Sequence, residues 1–279
     1  MLILQRAVLY KNNMNLKRIW AIATNCFREV IRDRILYFLG FYALLFGLAV
    51  RILPDVSATA GDKIVIDFGL GLLGILSVLV AIFVGTGLVN KEIEKRTILV
   101  LIPKPISRAE LIIGKHLGLS GVVGVMLAIM TIIYFALLAW AKSSSSVLWS
   151  ATVIPHGPIL VSILYLFLEL MLIIAVAIAF GVFTSSLLAT LFSFGIYLMG
   201  HFSTDLVQLG EISDNAGIQL LTENLYTILP DLSRLNFRNE AVYGVIPDGQ
   251  TLLLSAIYGL AYIVLLQAIA IFVFSRRQF

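Results

Sequence analysis

The stretch Asn90–Lys115, NKEIEKRTILVLIPKPISRAELIIGK, carries six Lys or Arg and three Glu in a chain where only 13% of residues are charged. Apolar runs flank it on both sides, at 65–89 and at 116–140. Each is long enough to cross a hydrocarbon core about 30 Å thick, which takes roughly 20 helical residues. A charged island between two such runs reads as a turn outside a membrane.

Working outward, four more stretches qualify as spans: 35–53, 158–183, 187–206 and 251–275. They are too long and continuously apolar for barrel strands, which alternate over about ten residues. The expected fold is therefore an all-α membrane protein of six transmembrane helices in a single membrane domain, 1–279. Composition agrees. Of the 279 residues, 60% are hydrophobic, against about 45–50% in a soluble domain. The net charge of +4 does not point to nucleic acid, because the basic residues sit beside apolar runs. Cys26 is the only cysteine, which excludes an internal disulfide and a cysteine-based metal site. The opening MLILQRAVLY lacks the pattern of a cleaved signal peptide, and residues 1–13 read as an extension ahead of Met14.

Lys and Arg accumulate on the cytoplasmic side of membrane proteins. With both termini cytoplasmic, fifteen of the basic residues fall inside and five outside. The inside set includes seven in segment 1–34 and six in the loop 90–115. Segment 1–34 also holds an amphipathic helix, with Ile19, Ile22, Ala23, Cys26, Phe27, Val30 and Ile31 on one face at i, i+3, i+4, i+7 spacing. Arg28, Glu29, Arg32 and Asp33 fall on the other face. Such a helix lies along the inner membrane surface, either as a plain anchor or with its polar face as a docking surface.

Inside the island, Ile93, Thr97, Val100 and Leu101 make a helical stripe, and Glu92 and Arg96 stand at pairing distance, i and i+4. Pro103 and Pro105 end that helix. Ser107 and Glu110 then have the spacing of a capping box, with Ile106 and Leu111 at the staple positions. The next helix runs directly into the third span. The loop is a defined corner.

At this point E-I-E-K-R-T-I and P-K-P-I-S-R-A-E-L-I-I-G-K, between spans 2 and 3, resemble permease subunits of ATP-binding-cassette transporters. More narrowly, they resemble the type-2, exporter-like group with six spans. The resemblance implies a translocation path in this chain and a coupling helix at 90–115 that seats in a separate ATPase subunit. It assigns that contact to Glu92, Glu94, Arg96, Thr97, Lys104, Pro105, Ser107, Arg108 and Glu110. It also implies a second permease copy, as a homodimer or heterodimer, outward transport, and ATP and Mg used by the partner. This chain has no P-loop, so no catalytic, cofactor or metal residue is expected in it.

Two motifs read as packing. GLGLLG at 69–74 matches a dinucleotide fingerprint in letters, yet Gly69, Gly71 and Gly74 lie inside a span, where small residues let helices approach. GLSG at 118–121 resembles an intramembrane protease motif, but Ser120 lacks an oriented histidine, so Gly114, Gly118 and Gly121 read as a packing face. Met126 and Met130 read as core filler.

Two acids remain in spans, and intramembrane carboxylates tend to face an interior, a cavity or a partner. Asp67, near the outer end of span 2, reads as interfacial and solvated. Glu169, near the middle of span 4, reads either as a functional or subunit-interface group or as a buried hydrogen-bonding one. The outer loop 207–250 carries a membrane-skimming stripe of Ile218, Leu221, Leu225, Ile228 and Leu229. It caps the bundle, covers an exit path or docks an extracytoplasmic partner. The competing functions are a proton-coupled secondary transporter using Glu169, and a membrane subunit that passes ATPase work to an outer partner without moving a solute.

Overall fold

The computed structural model describes residues 15–31, 35–56, 61–94, 107–144, 154–213 and 215–276. Among them are ten α-helices and one 3-10 turn. We number the helices α1 (Leu16–Ile31), α2 (Ile35–Val56), α3 (Gly61–Glu94), α4 (Arg108–Ser144) and α5 (His156–Phe183). The remainder are α6 (Ser186–His201), α7 (Ser203–Ile212), α8 (Ala216–Ile228), α9 (Arg238–Val242) and α10 (Gly249–Arg276), with the 3-10 turn at Leu232–Leu235.

Five helices, α2, α3, α4, α5 and α10, are long and apolar enough to cross a membrane. The expected span at 187–206 is not one straight helix. It breaks at Phe202 into α6 and α7, bent by 66°, so there are five spans, or six if the bent pair counts as one. The cause lies opposite the break. The Pro230 carbonyl and Leu232 stand where a side chain at Gly200 would be. The Ser203 hydroxyl turns back to the Gly200 carbonyl at 3.1 Å and to Asp231 at 3.0 Å. The loop wedges the helix open there.

α5 is the centre of the bundle. It packs against α3, α4, α6, α9 and α10, and its run Leu172–Ile178 is buried without interruption. A helix apolar all round belongs in such a place. α3 and α4 are much longer than a span, at 34 and 37 residues, or roughly 50 Å each at 1.5 Å per residue. They extend past the apolar runs 65–89 and 116–140 and flank the island from both sides.

Of the glycines in the 69–74 motif, Gly69 and Gly71 are closely packed, while Gly74 has only ordinary contact with Leu166. Over Gly69 lies a stack of Tyr42, Phe46 and Tyr134, and a Cβ there would run into the Phe46 and Tyr134 rings. Tyr134 also donates to the Ile66 carbonyl at 3.1 Å. Met126 and Met130 are fully buried core residues.

The amphipathic helix α1 docks on α4. A Cβ at Gly114 would meet Ile22, and one at Gly118 would meet the Ala23 carbonyl and Cys26. The apolar stripe of Ile19, Ala23, Cys26 and Val30 is buried in this contact, while Trp20 is exposed on the other side. That stripe was expected to face the membrane surface. Protein covers it instead, because α4 presents glycines where α1 crosses.

Between α8 and α10 the connecting segment enters the bundle. Leu232, Leu235 and Ala241 are fully buried and Phe237 nearly so. Asp231 is the knot, accepting from Ser203, Ser233 and Arg234, with its own N–H donating to the Tyr258 hydroxyl at 2.7 Å. Asp248 then caps α10. Its carboxylate accepts from the Thr251 hydroxyl at 2.6 Å and the Thr251 N–H at 3.1 Å, and these bonds hold its carboxyl below the usual range.

Candidate functional site

Two places gather polar chemistry, one at the island end of the bundle and one inside it. At the island end Ser107 caps α4. The Glu110 N–H donates to Ser107 Oγ at 3.1 Å, and the Ser107 N–H donates to Glu110 Oε2 at 2.8 Å. This is the reciprocal capping box that the spacing foretold. Glu110 does more than the box requires. Its other oxygen, Oε1, accepts the N–H of Asn15 at 2.8 Å, and Arg18 stands 3.9 Å from Oε2. Asn15 caps α1 through its own side chain, accepting from the Lys17 N–H at 3.0 Å. Two helix N-termini, each the positive end of its dipole, therefore converge on one carboxylate.

Inside the bundle a cavity of about 80 Å³ opens between α3, α5, α6 and the turn 235–238. Glu169 is 3% exposed, and its Oε1 lies 2.8 Å from His201 Nε2. Tyr197 packs edge-on against the His201 ring. On the far wall Arg238 reaches over Gly71, where a Cβ would collide with its guanidinium, and donates to Asp67 at 2.6 Å. Ser162 and Asn236 complete the polar lining.

The sequence model of a family described as ABC-2 family transporter protein matches residues 20–279. The chain belongs to the ABC-2 transporter family. No curated protein matches it.

This ABC-2 membrane subunit is thus a multi-pass membrane protein with five to six apolar helical spans. Its candidate residues divide by place. Glu92 and Glu94 lie in the last turn of α3. Arg96, Thr97, Lys104 and Pro105, with Arg32 and Asp33 of the docking set, lie outside the described residues. Arg28 and Glu29 are exposed on the outer face of α1.

Ser107 and Glu110 are engaged within the subunit. Glu110 is 1% exposed and spends both oxygens there, Oε2 at the start of its own helix and Oε1 at the start of α1. Arg108 is exposed yet tied to α10, donating to the Phe274 carbonyl and lying over its ring.

Asp67 is paired, not merely solvated. Glu169 does have a hydrogen-bond partner, His201, which no motif or spacing in the sequence connects to it. The protease-like motif of this ABC-2 subunit contains no Ser–His pair. His116 Nε2 bonds the Met171 carbonyl at 3.0 Å, and the buried Ser120 hydroxyl takes no partner among the described residues.

Proposed function

We propose that this ABC-2 subunit is the permease of an exporter, with both termini cytoplasmic, driven by separate ATP-binding-cassette ATPase subunits that seat on the 90–115 corner. Two such permease copies form the path, and ATP and Mg act in the ATPase. The observation that carries this reading is the Asn15–Glu110–Ser107 clamp. It joins the surface helix rigidly to the start of a 37-residue helix. A chain without a nucleotide site receives work only through a stiff element, and a capped, clamped helix end continuous with a span is one. The fifteen-to-five division of basic residues supports the orientation.

In this reading Glu110 and Ser107 hold the corner in shape, while Glu92, Glu94, Arg96, Thr97, Lys104 and Pro105 offer the contact. The test replaces Glu92 and Arg96 together by Ala, sparing Arg108 because it is engaged with Phe274. Truncating buried, hydrogen-bonded charge partners at an interface costs about 2–5 kcal/mol, so ATPase co-purification should fall by roughly tenfold or more. Unchanged ATPase binding and activity in a variant expressed like wild type would leave the island as an orienting charge alone.

A further inference from the structure

The cavity beside Glu169 contains an acid whose charge is only half answered. Oε1 is engaged by His201. Glu169 makes no other hydrogen bond or ion pair among the described residues, so Oε2 is left over at the cavity wall. Ser162 and Tyr197 line the same space, and their hydroxyls make no hydrogen bond among the described residues. The other charges nearby are taken. Arg238 of α9 is engaged by Asp67 of α3, and Asp231, ahead of the 3-10 turn, is engaged by Ser203, Ser233 and Arg234. A carboxylate buried at membrane depth is costly without a counter-charge.

We propose that this cavity binds a primary ammonium group, with Glu169 as its counter-ion and the Ser162 and Tyr197 oxygens as further acceptors. An ammonium has three N–H donors and no acceptor. The three uncommitted oxygens at the wall match that inventory. No group of three metal-ligating side chains occurs among the described residues, and Ca²⁺ or Mg²⁺ takes six or more oxygens. About 80 Å³ admits a head group and leaves the rest of a larger amine outside, since a cavity holding a benzene ring is about 150 Å³.

A proton on His201 answers the same carboxylate, so proton and ligand compete and acid weakens binding. The site is that of the transported molecule's head group. It therefore rests on the chain being a transport subunit, but not on how ATPase work reaches it.

The experiment is equilibrium binding of radiolabelled methylammonium to the purified full chain in lipid nanodiscs, without ATPase. ATPase association is measured separately, so the two proposals fail independently. Saturable binding is expected, weaker at mildly acidic than at mildly alkaline pH. Glu169→Gln should weaken it about tenfold or more, and Ser162→Ala with Tyr197→Phe should weaken it while leaving shape intact. His201→Gln should bind with the acid sensitivity gone. The proposal is overturned if wild type shows no saturable binding, if its binding ignores pH, or if Glu169→Gln, with an unchanged thermal unfolding profile, binds equally. Displacement by K⁺ at equal concentration would also overturn it, since an alkali ion has no donors to match.

Discussion

The backbone N–H of Asn15 donates to Glu110 Oε1 at 2.8 Å, across 95 residues of chain. One carboxylate thereby closes the first turn of α4 and holds the first turn of α1 against it. Removing it orphans two backbone donors, at Asn15 and at Ser107. Asn15 is exposed and Ser107 half-buried, so water takes over part of each bond. At about 0.5–1.5 kcal/mol per hydrogen bond, Glu110→Ala should still lower the thermal stability of the subunit in lipid. Faster tryptic cleavage at Lys17 and Arg18 should accompany it. A variant as stable and protease-resistant as wild type would show that α1 is held by its apolar face alone.

That apolar face can be tested through the single cysteine. Cys26 is 7% exposed and sits where Gly118 leaves no room for a side chain. Gly118→Val should push α1 off α4, because the added carbons meet the Ala23 backbone, which cannot swing aside. Maleimide labelling of Cys26 in native membranes should rise several-fold from the near-zero rate of a buried thiol. Slow labelling in the variant would mean that α1 slides instead of lifting.

Orientation is open to impermeant thiol reagents in a Cys26→Ser background. Cysteines at Ser143 and Val245 should label from outside intact cells, and one at Lys95 only after permeabilisation. Gly244 is the wrong place for a probe. Its φ of 71° is left-handed backbone that strains any other residue. Val245, exposed next door, avoids that. The reverse labelling pattern would invert the topology and remove the ATPase from the island.

The Asp67–Arg238 pair spans 171 residues at 2.6 Å, yet both side chains remain substantially exposed, 48% and 39%. Exposed pairs contribute about 0.2–1 kcal/mol. A double-mutant cycle of Asp67→Asn and Arg238→Gln on unfolding should give a coupling within that range. A coupling of several kcal/mol would mean that the pair is desolvated in the bilayer and locks the loop onto α3.

What was readable in the chain is what local pattern encodes. Apolar runs of span length, the Ser107–Glu110 spacing and the glycines at 69, 114 and 118 each have a short-range signature, and each appears in the structure. Glu110 carries two readings from the sequence, a cap from its spacing and an ATPase contact from the resemblance, and the cap is the one visible within a single subunit. Pairings between distant elements have no such signature. Glu169 and His201 are 32 residues apart on different helices, and neither spacing nor period connects them. The break at Phe202 was missed because its cause, the Pro230–Leu232 wedge, lies in a loop that reads as polar. Leu232 and Leu235, three apart beside a proline, were the available hint that this loop had an inward face.

Trp20 and Trp140 are both exposed, one on α1 and one near the far end of α4. Indoles settle at the headgroup level of a bilayer. From Gly114, where α1 crosses, to Trp140 is ~39 Å of helix at 1.5 Å per residue, between the roughly 30 Å of the hydrocarbon core and the roughly 40–45 Å of a bilayer with both headgroup regions included. The subunit therefore has its own depth gauge. With Trp149 replaced by Phe, each indole alone should be quenched best by lipids brominated near the glycerol and least by those brominated at the chain ends. The two signals would fix the height at which the bundle floats and the thickness of bilayer it selects.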